Sequence, residues 1–168
     1  MIEHELLFLG LLVEGPKHGY EIKRQVEEDL MPNIGLKIKS IYYPLKKMEE
    51  AGFIEKQTGR EGRWPEKYVY RITPKGKKKF DHLIGQSFLA VERPFFQIDL
   101  SLYFLPWADK TMAKRRLKGR LSILRRIQQE LAVLQHKSSK TPLGIILQHD
   151  LALVEAEITS IAKITQQI

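Results

Sequence analysis

The sequence contains no cysteine, so no disulfide framework, no thiolate nucleophile and no cysteine-type zinc site can be built. That composition suits a reducing compartment. It also lacks a long hydrophobic run. Leu6–Val13 is far shorter than the ~20 apolar residues needed to cross a bilayer, and Glu3 and Glu5 stand where a signal peptide would carry positive charge. A soluble, cytoplasmic protein with no membrane association is therefore expected. No glycine-rich phosphate loop, nucleophile elbow or dinucleotide-binding fingerprint occurs. The five histidines, His4, His18, His82, His136 and His149, are scattered, and no pair has the i, i+4 spacing beside a carboxylate that a zinc helix requires. Neither a metal site nor a cofactor nor enzymatic activity is expected.

What the chain does have is positive charge in one place. It carries a formal +8 over 168 residues, of which 43% are apolar, enough for one core or for a small domain with an appendage. Between Lys37 and Lys79 there are 13 Lys and Arg against 5 Asp and Glu, while the remainder holds 15 against 15. A merely solvated surface would spread the excess. Its concentration in one quarter of the chain is the footprint expected for a polyanion such as nucleic acid.

The pattern of elements gives that charge a setting. Glu3–Val13 is apolar almost all round, so a helix there must be covered on more than one side, and a partner subunit is a candidate cover. Ile22, Val26 and Leu30 recur at helical spacing and predict a second helix, ended by the Pro32 and Gly35 of "MPNIG". A third helix is predicted over 36–52, stopping at Gly52. "FIEKQT" and "EKYVYRIT", joined by "GREGRWP", predict a two-stranded β-hairpin over 53–72. Thr73 and Pro74 then supply a cap and a first residue for a fourth helix toward Leu89. Three helices, a hairpin and a helix form the order of a winged helix-turn-helix, here assigned to residues 1–90.

In such a fold the third helix enters the DNA major groove. At 100° per residue, Ile38, Ile41, Leu45 and Met48 share one arc and Lys39, Ser40, Tyr43, Lys46, Lys47 and Glu50 the opposite one. Lys37, Lys39, Lys46 and Lys47 would neutralise phosphates, whereas Ser40 and Tyr43 can exchange hydrogen bonds with base edges. Tyr42 lies on the boundary, as packing or as a phosphate contact. Arg60, Arg63 and Lys67 on the hairpin would reach the adjacent minor groove or backbone. Pro44 is out of place inside a long helix: either Ser40 caps a helix that starts nearby, or the helix bends at the proline.

Residues 91–168 read as an α-helical domain. Leu117, Leu121, Leu124, Ile127, Leu131 and Leu134 step by three or four, as do Leu143, Leu147, Leu151, Val154, Ile158 and Ile161, giving two long amphipathic helices broken near "SSKTP". One winged helix contacting a few phosphates binds weakly, and two-fold pairing doubles those contacts. The residues assigned to dimerisation are Leu6, Leu9, Leu121, Leu124, Leu131, Leu147, Leu151, Val154, Ile158 and Ile161. The alternative is that the two long helices close on each other within a monomer. Phe95, Phe96, Tyr103, Phe104 and Trp107 are candidates to line a pocket for a small apolar or aromatic effector, with an ordinary hydrophobic core as the blander reading.

The motifs "LLFLGLL" (Leu6–Leu12), "GPKHGYEI" (Gly15–Ile22), "SIYYPLKKMEEAGFIE" (Ser40–Glu55) and "KYVYRITPKG" (Lys67–Gly76) together resemble the PadR family of bacterial transcriptional regulators. The sequence departs from many members where Tyr43 intervenes between Tyr42 and Pro44. The resemblance implies a mainly α protein with a small β-hairpin wing, and a helical carboxy-terminal dimerisation domain. It further implies a homodimer that binds a pseudo-palindromic operator in double-stranded DNA, usually as a repressor released by a small molecule or signal. The rival from another class is a winged-helix protein-interaction module whose basic face meets an acidic partner.

Overall fold

The computed structural model describes residues 2–34, 38–59, 67–91 and 96–168, and the chain divides into two units, residues 1–92 and 93–168. Lys37, Arg60, Arg63 and Phe95 lie outside the described residues, as does the side chain of Lys67.

In the first unit, α1 (Ile2–Val13) packs on α5 (Pro74–Leu89), on α4 (Tyr42–Glu50) and on β3 (Lys67–Ile72). Most of its apolar surface is covered within the chain, with Leu6 and Leu7 half-buried and Val13 exposed. Phe8, Leu9, Leu11 and Leu12 are buried there, joined by Ile22, Val26, Ile41, Leu45, Met48, Ile54, Tyr70, Ile72 and Leu83 in one core.

The hairpin of β2 (Ile54–Gly59) and β3 is in register from Ile54 opposite Ile72 to Gly59 opposite Lys67. The sheet has three strands rather than the two expected: β1 (Lys17–His18) adds to the free edge of β3, with Lys17 opposite Tyr70 and His18 opposite Val69. Two residues carry no period-2 pattern, so only their pairing reveals them as a strand.

The second helix also differs. α2 (Gly19–Arg24) runs into a π-helical turn (Gln25–Leu30) and then α3 (Met31–Ile34), so the chain stays helical through Pro32 instead of breaking at "MPNIG". The wide turn is the physical reason. Met31 N–H bonds back to the carbonyl of Val26, five residues earlier, and such a turn accommodates a proline that lacks the N–H of a regular α ladder.

Thr73 ties three elements together. Its hydroxyl oxygen accepts the Gly76 N–H at 3.0 Å to cap α5, and the same hydroxyl donates to the Gly52 carbonyl at 2.8 Å, beyond the end of α4. Thr73→Ala removes both bonds and is expected to cost about 1–2 kcal/mol. A thermal melt checks this: an unchanged midpoint would contradict the cap, and Thr73→Ser should recover most of the loss.

The second unit is built on α7 (Lys110–Ser138) and α8 (Pro142–Gln167), antiparallel and joined by the short turn at 139–141. Asp109 caps α7 by accepting the Met112 N–H at 2.7 Å. Leu117, Leu121, Leu124 and Ile161 form the core, with Ile98 of α6 (Ile98–Tyr103), Ile158, Ala162, Ile164 and Ile168 packed against it. Arg120 donates through Nε and Nη2 to Glu157, pinning the two long helices in register. Among the described residues no helix is long and apolar enough to cross a membrane.

Candidate nucleic-acid interface

α4 is short and well anchored. Ile41, Leu45 and Met48 are buried in the core of the first unit and Ile38 packs against it, so the remaining side of the helix faces outward. The helix begins at Tyr42, not at residue 36. Ile41 takes the N-cap position, and the first backbone bond of the helix runs from Leu45 N–H to the Ile41 carbonyl at 3.2 Å. Pro44 therefore falls in the first turn, where an N–H would have no helical partner, and its ring costs nothing. Ser40 sits just before the helix and accepts the Tyr42 N–H at 3.3 Å. Of the two alternatives left by the sequence, a helix that starts near Ser40 is the one adopted. At the other end Gly52 has φ 73°, the left-handed conformation that terminates a helix at little cost only with glycine.

The outward face carries hydroxyls and ammonium groups. Tyr42 and Tyr43 are 58% and 65% exposed, and Lys39, Ser40, Lys46 and Lys47 are exposed as well. Lys39 and Ser40 precede the helix instead of lying on it. Glu50 is the local counter-charge, 3.9 Å from Lys46 and 3.4 Å from Lys47. Such exposed pairs contribute little, ~0–1 kcal/mol, so phosphate can displace the carboxylate.

Next to this face lies the β1–α2 corner. A Cβ on Gly19 would stand 3.8 Å from the Tyr42 ring and 3.4 Å from that of Tyr70, so the corner abuts both tyrosines. Glu21 accepts the His18 N–H at 2.7 Å, and the His18 ring stacks on exposed Tyr20 with centroids 5.5 Å apart. Burial, with Glu49 adding to it, raises the Tyr70 hydroxyl above the ordinary tyrosine range, so it remains a neutral packing group.

The wing strands add exposed cations that periodicity does not single out. Lys56 lies 3.5 Å over the Tyr68 ring, and Arg71 pairs with Glu55 at 3.8 Å. Tyr20 was equally unmarked, because an aromatic residue beside a glycine reads as turn packing until its exposure is known. Each is visible only once the sheet is assembled.

The expected subunit-interface residues divide by burial. Leu9, Leu121, Leu124, Leu147 and Ile161 are buried within their own units, so their apolar area is already spent inside the chain. Leu6, Leu131, Leu151, Val154 and Ile158 are half-buried. The apolar side chains left exposed on α7 and α8 are others, among them Ile123, Ile127, Val133, Leu134, Ile145 and Leu153. Phe96, Tyr103, Phe104 and Trp107 are likewise exposed, Trp107 to 76%. Tyr103, Phe104 and Trp107 form an aromatic cluster with centroids 5.0–6.5 Å apart, Phe104 edge-on to both of the others. Surface exposure, not a closed cavity, is where the structure puts these residues, because α6 is a single amphipathic turn and a half that buries only one side. No group of three or more metal-binding side chains occurs among the described residues.

Comparison with known proteins agrees with this geometry. Residues 8–82 match the model of the transcriptional regulator PadR-like family. The negative transcriptional regulator PadR of Bacillus subtilis (strain 168) is 30% identical over 113 residues, which cover 67% of this chain and 62% of that protein. Among solved structures, Bacillus subtilis PadR in complex with operator DNA superposes with a TM-score of 0.73 at 22% identity, covering 97% of both chains. Bacillus subtilis PadR in complex with p-coumaric acid gives 0.75 at 20% identity, over 97% of this chain and 93% of that one.

Proposed function

The chain belongs to the PadR-like family of transcriptional regulators, and from that premise we propose that it represses transcription by binding a pseudo-palindromic operator as a homodimer. The family is one of regulators rather than enzymes. The observation that carries the proposal is the outer face of α4: a helix anchored by Leu45 and Met48 that presents Tyr42, Tyr43, Lys46 and Lys47 to solvent. A helix of that kind fits the major groove, ~12 Å wide.

In this reading Lys39, Lys46 and Lys47 contact phosphates and supply sequence-blind affinity, while Ser40 and Tyr43 read base edges. Tyr42 contacts the backbone beside the Gly19 corner. The wing strands, with Lys56 and Arg71, follow the flanking backbone or minor groove. The exposed apolar residues of α7 and α8 support pairing of two copies, since monomers rarely leave so many large side chains in water. The word "negative" in the name of the Bacillus subtilis relative supports repression, and that protein's complex with p-coumaric acid supports a small aromatic effector here. Action on bacterial DNA supports a cytoplasmic location.

Selection of bound duplexes from a random pool at about 0.15 M salt tests the proposal, because loosely held DNA is already released at that ionic strength. An inverted repeat should be enriched, with half-sites about one helical turn apart, ~34 Å. Recovery of no motif would favour the protein-interaction module instead.

A further inference from the structure

The second unit carries a charged surface that operator binding through α4 leaves unused. From Lys110 to Arg126, α7 holds eight lysines and arginines and no aspartate or glutamate. At 100° per residue the buried Ala113, Leu117, Leu121 and Leu124 point one way, and the exposed Ile123 and Ile127 lie to one side of that seam. Lys114, Lys118 and Arg125 run along the other side, with Arg115 and Arg126 on the outermost line. Lys114 is half-buried and the other four are exposed. At 1.5 Å per residue the row from Lys114 to Arg126 is ~18 Å long.

These cations lack counter-charges. Glu157 of α8 is taken by Arg120 across the seam, and Arg126 meets Glu130 only in an exposed pair at 3.8 Å. Among the described residues no carboxylate pairs with Lys114, Arg115, Lys118 or Arg125. Their neighbours narrow the occupant. Between Thr111 and Gln129 the same flank adds only Thr111, Ser122 and Gln129, and no apolar side chain. A protein partner would need an apolar centre to its interface, where charge is depleted, and a membrane would need apolar side chains to insert beside the cations. Lysine, arginine, hydroxyl and amide groups without such anchors are the set that bonds the phosphates of a nucleic acid, and a duplex offers one charge per ~1.7 Å of its axis.

We propose that this flank of α7 is a second DNA-binding surface, which grips the phosphate backbone without reading sequence and holds a duplex segment other than the one on α4. The inference rests on the reading of α4 as the operator-contacting helix. An operator-bound protein can then hold a second stretch of DNA.

The test is to immobilise the operator duplex, saturate it with the full chain and add a labelled duplex of unrelated sequence at about 0.05 M salt. The labelled duplex should be retained. Its retention should fall with salt at a slope of roughly 3–4 in log K against log salt, from Lys114, Arg115, Lys118 and Arg125. Lys118→Glu with Arg125→Glu should lower retention about tenfold or more, with the selected inverted repeat and the melting midpoint unchanged. If that pair melts early, Lys118→Gln with Arg125→Gln replaces it and should reduce the slope by roughly 2. Lys140→Glu with Lys163→Glu alters net charge equally, in the turn after α7 and on α8, and should leave retention intact. No retention by the parent chain, retention that survives both α7 pairs, or the same loss in the Lys140 and Lys163 control would overturn the surface. Retention of labelled polyglutamate in place of the duplex would assign the flank to an acidic protein and also overturn it. Direct titration with the unrelated duplex separates the two readings: a chain that selects no operator yet binds this duplex through Lys118 and Arg125 refutes the role of α4 and leaves the α7 surface standing.

Discussion

Replacing Lys46 and Lys47 together by alanine is expected to lower affinity for the selected operator by about two to three orders of magnitude at 0.15 M salt, with no loss of folding. Both side chains are exposed on α4 and pair with the exposed carboxylate of Glu50, so neither contributes to the core. Each phosphate contact releases counterions and adds about 0.9 to the slope of log K against log salt, and a dimer loses four such contacts. The slope should therefore fall by roughly 3–4. Equal loss on operator and on unrelated DNA marks the lysines as phosphate contacts; loss confined to the operator would mean that they read bases. Intact affinity with a native melting curve would remove α4 as the recognition face.

Gly76→Ala is expected to destabilise the first unit strongly without unfolding it. A Cβ built on Gly76 would lie 2.0 Å from the carbonyl oxygen of Phe53 and 2.8 Å from Cγ1 of Ile72. That carbonyl is held in place because it accepts the Thr73 N–H at 3.0 Å. Alanine is ~1 kcal/mol the better helix former, but overpacking against a fixed backbone group costs more, and a net loss of about 3 kcal/mol is expected. In a domain of this size that is a fall of roughly 12–24 °C in the melting midpoint. Gly85 is the control within the same helix. Its Cβ would meet nothing within 4 Å, so Gly85→Ala should leave stability unchanged or raise it. If the two variants melt alike, the close approach of α5 to the α4–β2 turn is wrong.

Much of the first unit was legible because its signals are local. Thr73 followed by Pro74 marks the start of α5, Gly52 marks the end of α4, and the Phe, Ile, Val and Tyr content of 53–72 marks the hairpin, each within a few residues of the feature it produces. The start of α4 was not legible in the same way. The apolar arc of Ile38, Ile41, Leu45 and Met48 continues across residues that are not helical, since a core can be met from a loop as well as from a helix. Pro44 was the true marker, and it becomes intelligible only as a first-turn residue.

The sequence by itself determined the family resemblance, a winged helix followed in the chain by two long helices, and which helix face carries hydroxyls and lysines. These follow from spacing along the chain, where 3.6-residue periodicity and cap residues act over short distances. Tertiary structure alone decided the third strand, the necessity of Gly76, and the exposure of Tyr103, Phe104 and Trp107. It also decided that Leu9, Leu121, Leu124, Leu147 and Ile161 are buried within their own units. Periodicity states that a face is apolar but not what covers it, because covering depends on residues far away in sequence that are brought near only by folding.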